Sequence, residues 1–466
     1  MLDVLLINPF ISYNTLSEDM PDDNYHHYPP LGYLYLAAAL RKNGFKVDVI
    51  DTSSNLTLKQ TISIIKTKKP KIIGLSAMMA NMRGAYQLAT EIKKKIKPAP
   101  LIILGGHHVS SDPTIIQRFP CFDIGITGEG EITLPLIVDR IINKKEKIKN
   151  ITINGELPSN LNKLPFPARD LIDVNILKSK PVVGMITTRG CPYHCIFCSR
   201  PAISKTIRYL SPKLVVAEMI DIFKKTNINE FCFHDDTFNL DDQHVIDICQ
   251  EIIKSGHKFN WVCQGRFNLI KEKVVKIMAK AGCTKIMFGV ESGNERIRNM
   301  VVGKGITDIQ IKKGINLCWK YNIEPDVFLM LGFPTETDKE LSDTINFGKK
   351  FLPNMIGVNI TSAYPGSKLW NNLVKNNELN PRIIDDYILG KLGEGFRKAW
   401  PNYIPKGMTL EHLISARNLA QRKFYLTPKY ILKRISRDFT SWKKMKENIL
   451  QAYSIFRYGQ SYKKRN

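Results

Sequence analysis

The sequence predicts an α/β protein of two successive βα regions, the first a doubly wound parallel sheet, ending in a mainly helical extension. Three observations predict it. Short Val/Ile/Leu-rich runs recur through residues 1–150 with helical periods between them, as in buried parallel strands joined by crossover helices. The same alternation restarts near residue 181 and continues to about 362. It then stops, and the remaining chain is basic and helix-periodic.

Composition narrows the class. A chain of 466 residues has length for two or three domains, and 43% hydrophobic with 24% charged residues is an ordinary globular balance. No apolar run approaches the ~18 residues of a membrane span. The start, Met1 to Asn8, lacks the basic region and cleavage site of a signal peptide and reads as a strand. Nine cysteines without a signal fit a reducing, cytoplasmic setting, where thiols serve clusters rather than disulfides. Net charge is +25, and from Lys391 onward there are 18 Lys and Arg against 4 Asp and Glu.

In the first region, strands are expected at 4–8, 46–51, 72–76, 101–104 and 123–126, in flavodoxin-like order. Helices are expected at 31–42, closed by Gly44, and near 56–68, 82–96 and 130–143. Ligands of such sheets bind beyond the carboxyl ends of the strands. Those ends read Asn8-Pro9, Asp51-Thr52, Ser76-Ala77, Gly105-Gly106-His107-His108 and Gly128-Glu129-Gly130-Glu131. Paired glycines let backbone approach a ligand closely. His26-His27 lie in a polar, proline-rich loop after the first strand, where they are structural, solvated or in contact with substrate. Residues 151–180, with Leu157-Pro158 and Leu164-Pro165-Phe166-Pro167, read as a proline-rich linker: a strap between domains, or a plain spacer.

The second region, 181–365, opens with an apolar run, Val182 to Ile186, followed by Cys191, Cys195 and Cys198 at spacing C-x3-C-x2-C, with the aromatic Phe197 before the last. Three thiolates are one short of the four that usually hold a [4Fe-4S] cluster, which leaves one iron open. A zinc site missing a ligand and three buried cysteines are the plainer readings; no second C-x2-C pair completes a zinc tetrahedron. Further strands are expected at 230–235, 259–264, 285–290, 326–331 and 356–361, with helices between. Polar motifs stand at their ends. They are Asp235-Asp236, Arg266, Gly289-Val290-Glu291-Ser292-Gly293, Gly332-Phe333-Pro334 and Tyr364-Pro365-Gly366-Ser367. The plain reading of the acids is helix capping, and that of Arg266 a structural ion pair. Cys232, Cys249, Cys263, Cys283 and Cys318 read as small core residues.

Residues 366–466 read as helical, with a periodic stretch Leu410 to Phe424 and a further helix opened by Pro428. Basic residues mix with aromatics at Lys433-Arg434, Phe439, Trp442-Lys443-Lys444 and Phe456-Arg457-Tyr458. A contact with anionic lipid, binding of RNA and a solvated cap on the preceding domain are the three readings.

The cysteine triplet after a strand, with the later strand-end motifs, resembles the radical S-adenosylmethionine (SAM) enzymes. The first region resembles the Rossmann-like cobalamin-binding domain found ahead of many of them, through Pro29-Pro30-Leu31-Gly32, Gly74-Leu75-Ser76, Leu104-Gly105-Gly106 and Ile126-Thr127-Gly128-Glu129-Gly130-Glu131. The resemblance covers residues 1 to about 365 and implies a partial (βα)6 barrel. It implies a [4Fe-4S] cluster on Cys191, Cys195 and Cys198, with SAM on the open iron. It places Phe197, Glu291, Ser292, Gly332 and Pro334 near SAM, and Ser76, Gly105, Gly106, Gly128, Glu129 and Gly130 near cobalamin. Asp235, Asp236 and Arg266 become catalytic candidates. One departure stands out: the D-x-H-x-x-G motif that supplies a cobalt ligand in classical cobalamin enzymes is absent, and Asn8-Pro9-Phe10-Ile11 follows the first strand. Some relatives keep the domain and lose the cofactor. The resemblance implies methylation of an unactivated carbon of a small molecule or lipid, with an electron donor such as flavodoxin or ferredoxin. A cyclisation, rearrangement or oxidation is the alternative, and a non-catalytic iron–sulfur sensor or scaffold the alternative of another class. An RNA-acting methylthiotransferase fits less well, because the first 120 residues lack cysteine and the tail reads as helical.

Overall fold

A computed structural model describes residues 2–10, 31–51, 56–179, 182–392 and 401–438. His26-His27, Pro29-Pro30 and the basic-aromatic stretch from Phe439 onward lie outside the described residues. The chain divides into two compact units. The first is Met1–Phe238 with Asp247–Trp261 and Ala363–Asn402; the second is Asn239–Ile246 with Val262–Ser362 and Tyr403–Asn466.

The first unit begins with a parallel sheet of β1 (Val4–Asn8), β2 (Val47–Asp51), β3 (Ile72–Ser76), β4 (Leu101–Gly105), β5 (Ile124–Thr127) and β6 (Ile151–Asn154). Its order is β2-β1-β3-β4-β5-β6, the expected flavodoxin-like arrangement with one strand added. Val4, Leu5, Leu6 and Ile7 are all but fully buried, because helices cover both faces of such a sheet. The sheet extends four residues past the boundary expected at 150. β6 is an edge strand with both ends exposed, so it lacks the continuous apolar run that marks its neighbours.

The rest of the linker is fastened down. The Ala168 amide donates to the Leu34 carbonyl at 3.0 Å. Arg169 donates to the Gly184 carbonyl at 2.9 Å and pairs with the buried Glu218 at 2.7 Å. It is a strap. Gly184 belongs to β7 (Val182–Met185), which pairs in parallel with β10 (Glu230–Phe233). Between them β8 (Thr188–Arg189) and β9 (Arg208–Tyr209) form a short antiparallel ribbon.

In the second unit β12 (Cys283–Glu291), β13 (Glu324–Leu331) and β14 (Met355–Ile360) run parallel. Helices Asp308–Lys320 and Asp338–Phe351 each start with a capping box, Thr307 with Gln310 and Thr337 with Glu340. With β11 (Asn260–Gly265), these strands follow the order β14-β13-β12-β11. Cys232, Cys249, Cys263, Cys283 and Cys318 are buried, as expected of core residues. Helix Leu410–Tyr425 packs Phe424 over Gly348, where an added Cβ would lie 2.6 Å from the ring. Helix Pro428–Asp438 begins at its proline.

One glycine fixes the end of β4. Gly106 has φ +97°, and a Cβ there would come within 2.6 Å of Ser76 Oγ and 2.8 Å of the Ala77 backbone. Gly106→Ala is expected to cost about 1–3 kcal/mol, read as a lowered urea midpoint.

Candidate active site

The cysteine segment is a loop closed by the β8–β9 ribbon. Gly190, at φ +93°, brings its Cα against Thr206: a Cβ would lie 2.2 Å from the Thr206 carbonyl oxygen. Inside the loop the Cys198 amide donates to the Cys195 carbonyl at 3.0 Å, and Leu369 donates to the Ile196 carbonyl at 2.8 Å. The turn at Tyr364–Ser367 is thereby tied to the loop, since Ser367 caps helix Lys368–Lys375.

The thiols suit a cluster. Burial pushes the Cys198 thiol up, and Cys195, Cys191 and Asp236 add to the shift, against an N–H from Arg200 that donates to the sulfur at 3.4 Å. A cysteine gives up its proton when its sulfur binds a metal. Among the described residues, no three His, Cys, Asp or Glu side chains could hold a single metal ion. A cubane cluster asks for something else, one thiolate for each of three irons. Phe197 is half-buried beside them.

Asp235 and Asp236 behave differently. Asp235 is 1% exposed and accepts the Thr187 and Thr188 amides at 2.7 and 3.0 Å as well as the Thr187 hydroxyl. Burial pushes its carboxyl up to about 6 against these donors. It fixes the strand end that leads into the cysteine loop. Both carboxylate oxygens of Asp236 accept from the single N–H of Arg200 Nε, at 2.6 and 2.8 Å. The same guanidinium lies 3.0 Å from His107 Nε2. Arginine has no lone pair to offer, so His107 Nε2 accepts and the ring is neutral with its proton on Nδ1. Burial and the Arg200 charge push His107 down to about 4, in agreement. Arg200 thus joins the cysteine loop, the end of β10 and the end of β4. Arg200→Lys keeps the charge but not the fork; activity is expected to fall about 10–100-fold with iron content unchanged, read as 5′-deoxyadenosine formed per cluster.

A cavity of about 220 Å³ lies at this point. Ser76, Gly105, Gly106, Gly128, Glu129 and Gly130 all line it, so the strand ends singled out in the sequence do meet. Leu6, Leu36, Leu75, Ile103, Ile126 and Leu134 supply apolar wall. Arg189, Gly190, Arg200 and Asp236 complete it from the cysteine-bearing segment and the end of β10. Tyr33 holds Ser76 in place: its hydroxyl accepts from the Ser76 amide at 2.7 Å and donates to the carbonyl at 2.8 Å. At Gly105 a Cβ would meet only the Ile126 carbonyl, at 3.7 Å. Bare backbone at the strand ends lets a cofactor approach closely, and the apolar wall suits the flat face of a corrin ring.

Glu129 is in that wall, but its carboxylate is occupied. It accepts from Arg189 at 2.7 Å and from Arg208 at 2.5 and 3.1 Å. Arg189 also meets Glu131 at 2.8 Å and lies over the Tyr35 ring at 4.9 Å. Two acids and two arginines form a charge-balanced, buried cluster. Burial pushes the Glu129 carboxyl up, but the Arg208 hydrogen bond and the Arg189 charge outweigh it and hold it low.

The second unit contains the remaining nominated residues. Glu291 ends β12 at φ +71° and pairs with Lys304 at 2.9 Å, both buried. Arg266 donates to the Lys304 carbonyl, and its backbone is clamped by Asn239 at 2.9 and 3.0 Å. Ser292 is fully buried, its hydroxyl 3.2 Å from that of Thr344 and accepting from the Asn294 amide at 3.1 Å. Gly332 and Phe333 donate their amides to Glu336 at 2.6 and 3.1 Å, folding the turn before Pro334. Burial pushes Glu336 up to about 7. Arg189, Arg200, Arg208, Lys304 and Glu336 were not nominated from the sequence. The signal available was a basic residue on either side of the cysteine loop, at 189, 200 and 208.

Residues 185–348 match the model of the radical SAM superfamily, and residues 24–138 that of the B12 binding domain. An uncharacterized methyltransferase of Pyrococcus horikoshii is 32% identical over 432 residues, 87% of this chain and 90% of that protein. The chain belongs to the radical SAM superfamily, in the branch with a B12-binding domain. This B12-binding radical SAM protein is also 27% identical to the anaerobic magnesium-protoporphyrin IX monomethyl ester cyclase of Rubrivivax gelatinosus, over 75% of this chain and 68% of that one. Its fold is similar to that of the cobalamin-dependent SAM radical enzyme OxsB with aqua-cobalamin and SAM bound. That match has a TM-score of 0.73 at 19% identity and covers 97% of this chain and 71% of the other. The family's cofactors are therefore a [4Fe-4S] cluster, SAM and cobalamin. No helix among the described residues is long and apolar enough to cross a membrane.

Proposed function

We propose that this radical SAM enzyme methylates an unactivated carbon of a small-molecule or lipid substrate. The observation that supports this reading is the 220 Å³ cavity, because its walls come both from the strand ends of the B12-binding sheet and from the cysteine-bearing segment. When bound, the cluster and SAM supply a 5′-deoxyadenosyl radical that removes a substrate hydrogen atom, and cobalamin supplies the methyl group.

The chain's own residues divide the work. Cys191, Cys195 and Cys198 hold the cluster. Asp236, oriented by Arg200, is the carboxylate that meets SAM or substrate; Asp235, sealed by Thr187 and Thr188, is a positioning residue. Glu291, Gly332 and Pro334 are assigned to SAM, with Lys304 paired to Glu291 and holding it in place. His107 has its Nε2 lone pair directed to Arg200, so it is not the cobalt ligand that the sequence lacks after β1. Electrons come from a flavodoxin or ferredoxin. Leu426, just before the helix Pro428–Asp438, and Ile431 and Leu432 on it are exposed near Lys429 and Lys433, which supports contact of a cytoplasmic enzyme with an anionic lipid surface.

Anaerobic turnover of the reconstituted protein with methyl-labelled SAM and a cell extract tests the reading. It predicts 5′-deoxyadenosine and S-adenosylhomocysteine in equal amounts and carbon-bound label in one product. Deoxyadenosine without S-adenosylhomocysteine would instead favour a cyclisation or rearrangement, to which the likeness to the anaerobic cyclase lends support. Neither product would leave only a scaffold.

A further inference from the structure

We infer that a second cavity, of about 250 Å³, holds an uncharged, largely apolar substrate through a hydroxyl group hydrogen-bonded to Nε2 of His108. This rests on the methyl-transfer reading and specifies its substrate class. Met78 and Met79, just past the end of β3, line the cavity with His108, Ser199, Tyr364 and Pro365.

Four features carry the inference. None of the described lining residues bears a formal charge, in a chain whose net charge is +25. A phosphate or carboxylate placed here finds no cation among the described lining residues to pair with, and an isolated buried charge is costly. Two thioethers and a tyrosine ring make an apolar wall that adapts to irregular shapes. His108 is 2% exposed, and its Nε2 has no hydrogen-bond partner among the described residues. Buried polar atoms are nearly always paired, so this one calls for an explanation. A hydroxyl answers it in either tautomer, since it both donates and accepts. Finally, His107 lines this cavity and the 220 Å³ cavity alike, with its own Nε2 already directed to Arg200. His108 is the imidazole left to meet a ligand, one residue from the shared wall, and Ser199 follows the cluster residue Cys198. Burial keeps the His108 ring uncharged, in keeping with an uncharged ligand.

The test uses 1-naphthol, naphthalene and 1-naphthoate as probes, in equilibrium dialysis against the full-length, anaerobically reconstituted protein. The expected result is 1-naphthol bound about tenfold more tightly than naphthalene, the contribution of one neutral hydrogen bond, with 1-naphthoate excluded. His108→Leu should erase the naphthol advantage and leave naphthalene binding unchanged. Met78→Glu, at a position 57% exposed and so tolerant of change, should weaken both neutral probes. The inference is overturned if naphthol and naphthalene bind alike to the unaltered protein, if the advantage survives His108→Leu, or if naphthoate binds as well as naphthol. S-adenosylhomocysteine formation, measured in parallel, separates failure of this inference from failure of the methyl-transfer reading.

Discussion

Cys195→Ala is expected to yield a folded protein that retains little iron and forms no detectable 5′-deoxyadenosine. Each of the three thiolates serves a different iron, so the loss of one leaves a cluster with two protein ligands. The loop itself should survive. Cys195 is a small buried residue, and the segment is held from outside by Gly190 against Thr206, by the β8–β9 ribbon and by Leu369 on the Ile196 carbonyl. Iron and sulfide analysis, the visible charge-transfer absorbance and deoxyadenosine yield should fall together, while the urea midpoint moves little. Cys232→Ala is the control. It removes a thiol of similar burial from β10, and it should keep both iron and activity. Full activity in Cys195→Ala would return the triplet to a structural or scaffold role.

Arg189→Ala should be the most destabilising single change near the site, by about 3–5 kcal/mol. It removes the partner that Glu129 and Glu131 share; Glu131 is buried and the Glu129 side chain is only 10% exposed. Arg208 still reaches Glu129, so Glu131 becomes the uncompensated charge. Replacing a buried pair by apolar residues can be neutral, but removing one partner is not. The substitution also loses the stacking on Tyr35 and loosens the residue before Gly190-Cys191. Urea unfolding should show a lower midpoint at unchanged slope, with iron retention reduced as well. The pH dependence has a definite sign. The Glu129 carboxyl is held below its unfolded value, so its contribution is present above about pH 4.3 and is lost as the pH falls through the lower folded value. Arg189→Ala should narrow the stability difference between neutral and acid pH. An unfolding midpoint unchanged at neutral pH would show that the cluster contributes nothing net.

Much of this was legible in the sequence because burial on both faces writes a continuous apolar run. β1 to β5 carry such runs; β6, half-exposed at the sheet edge, does not. The cysteine spacing is a local property of one loop and needs no tertiary knowledge. The strand-end glycines pointed to a cavity because chain topology alone brings the carboxyl ends of parallel strands to one side. Partners were not legible. Glu129 reads the same in sequence whether it meets a cofactor or two arginines 60 and 79 residues away. Asp235 and Asp236 are adjacent and alike. Just past the end of β10 the two part, one to Thr187 and the other to Arg200. Nothing in the order of the two letters says which is which.

In the proposed function the cavity at the strand ends of the first sheet receives cobalamin for a reaction begun at the cysteine loop. Gly105→Leu addresses it directly. Gly105 lines that cavity, and a Cβ there meets nothing closer than the Ile126 carbonyl at 3.7 Å, so a leucine should extend into the cavity rather than strain the strand. Cobalt and iron are measured together in the purified, reconstituted variant. The prediction is full iron content and 5′-deoxyadenosine formation, with cobalt and S-adenosylhomocysteine formation lost. A Gly105→Leu protein that keeps its cobalt and still forms S-adenosylhomocysteine would contradict the account.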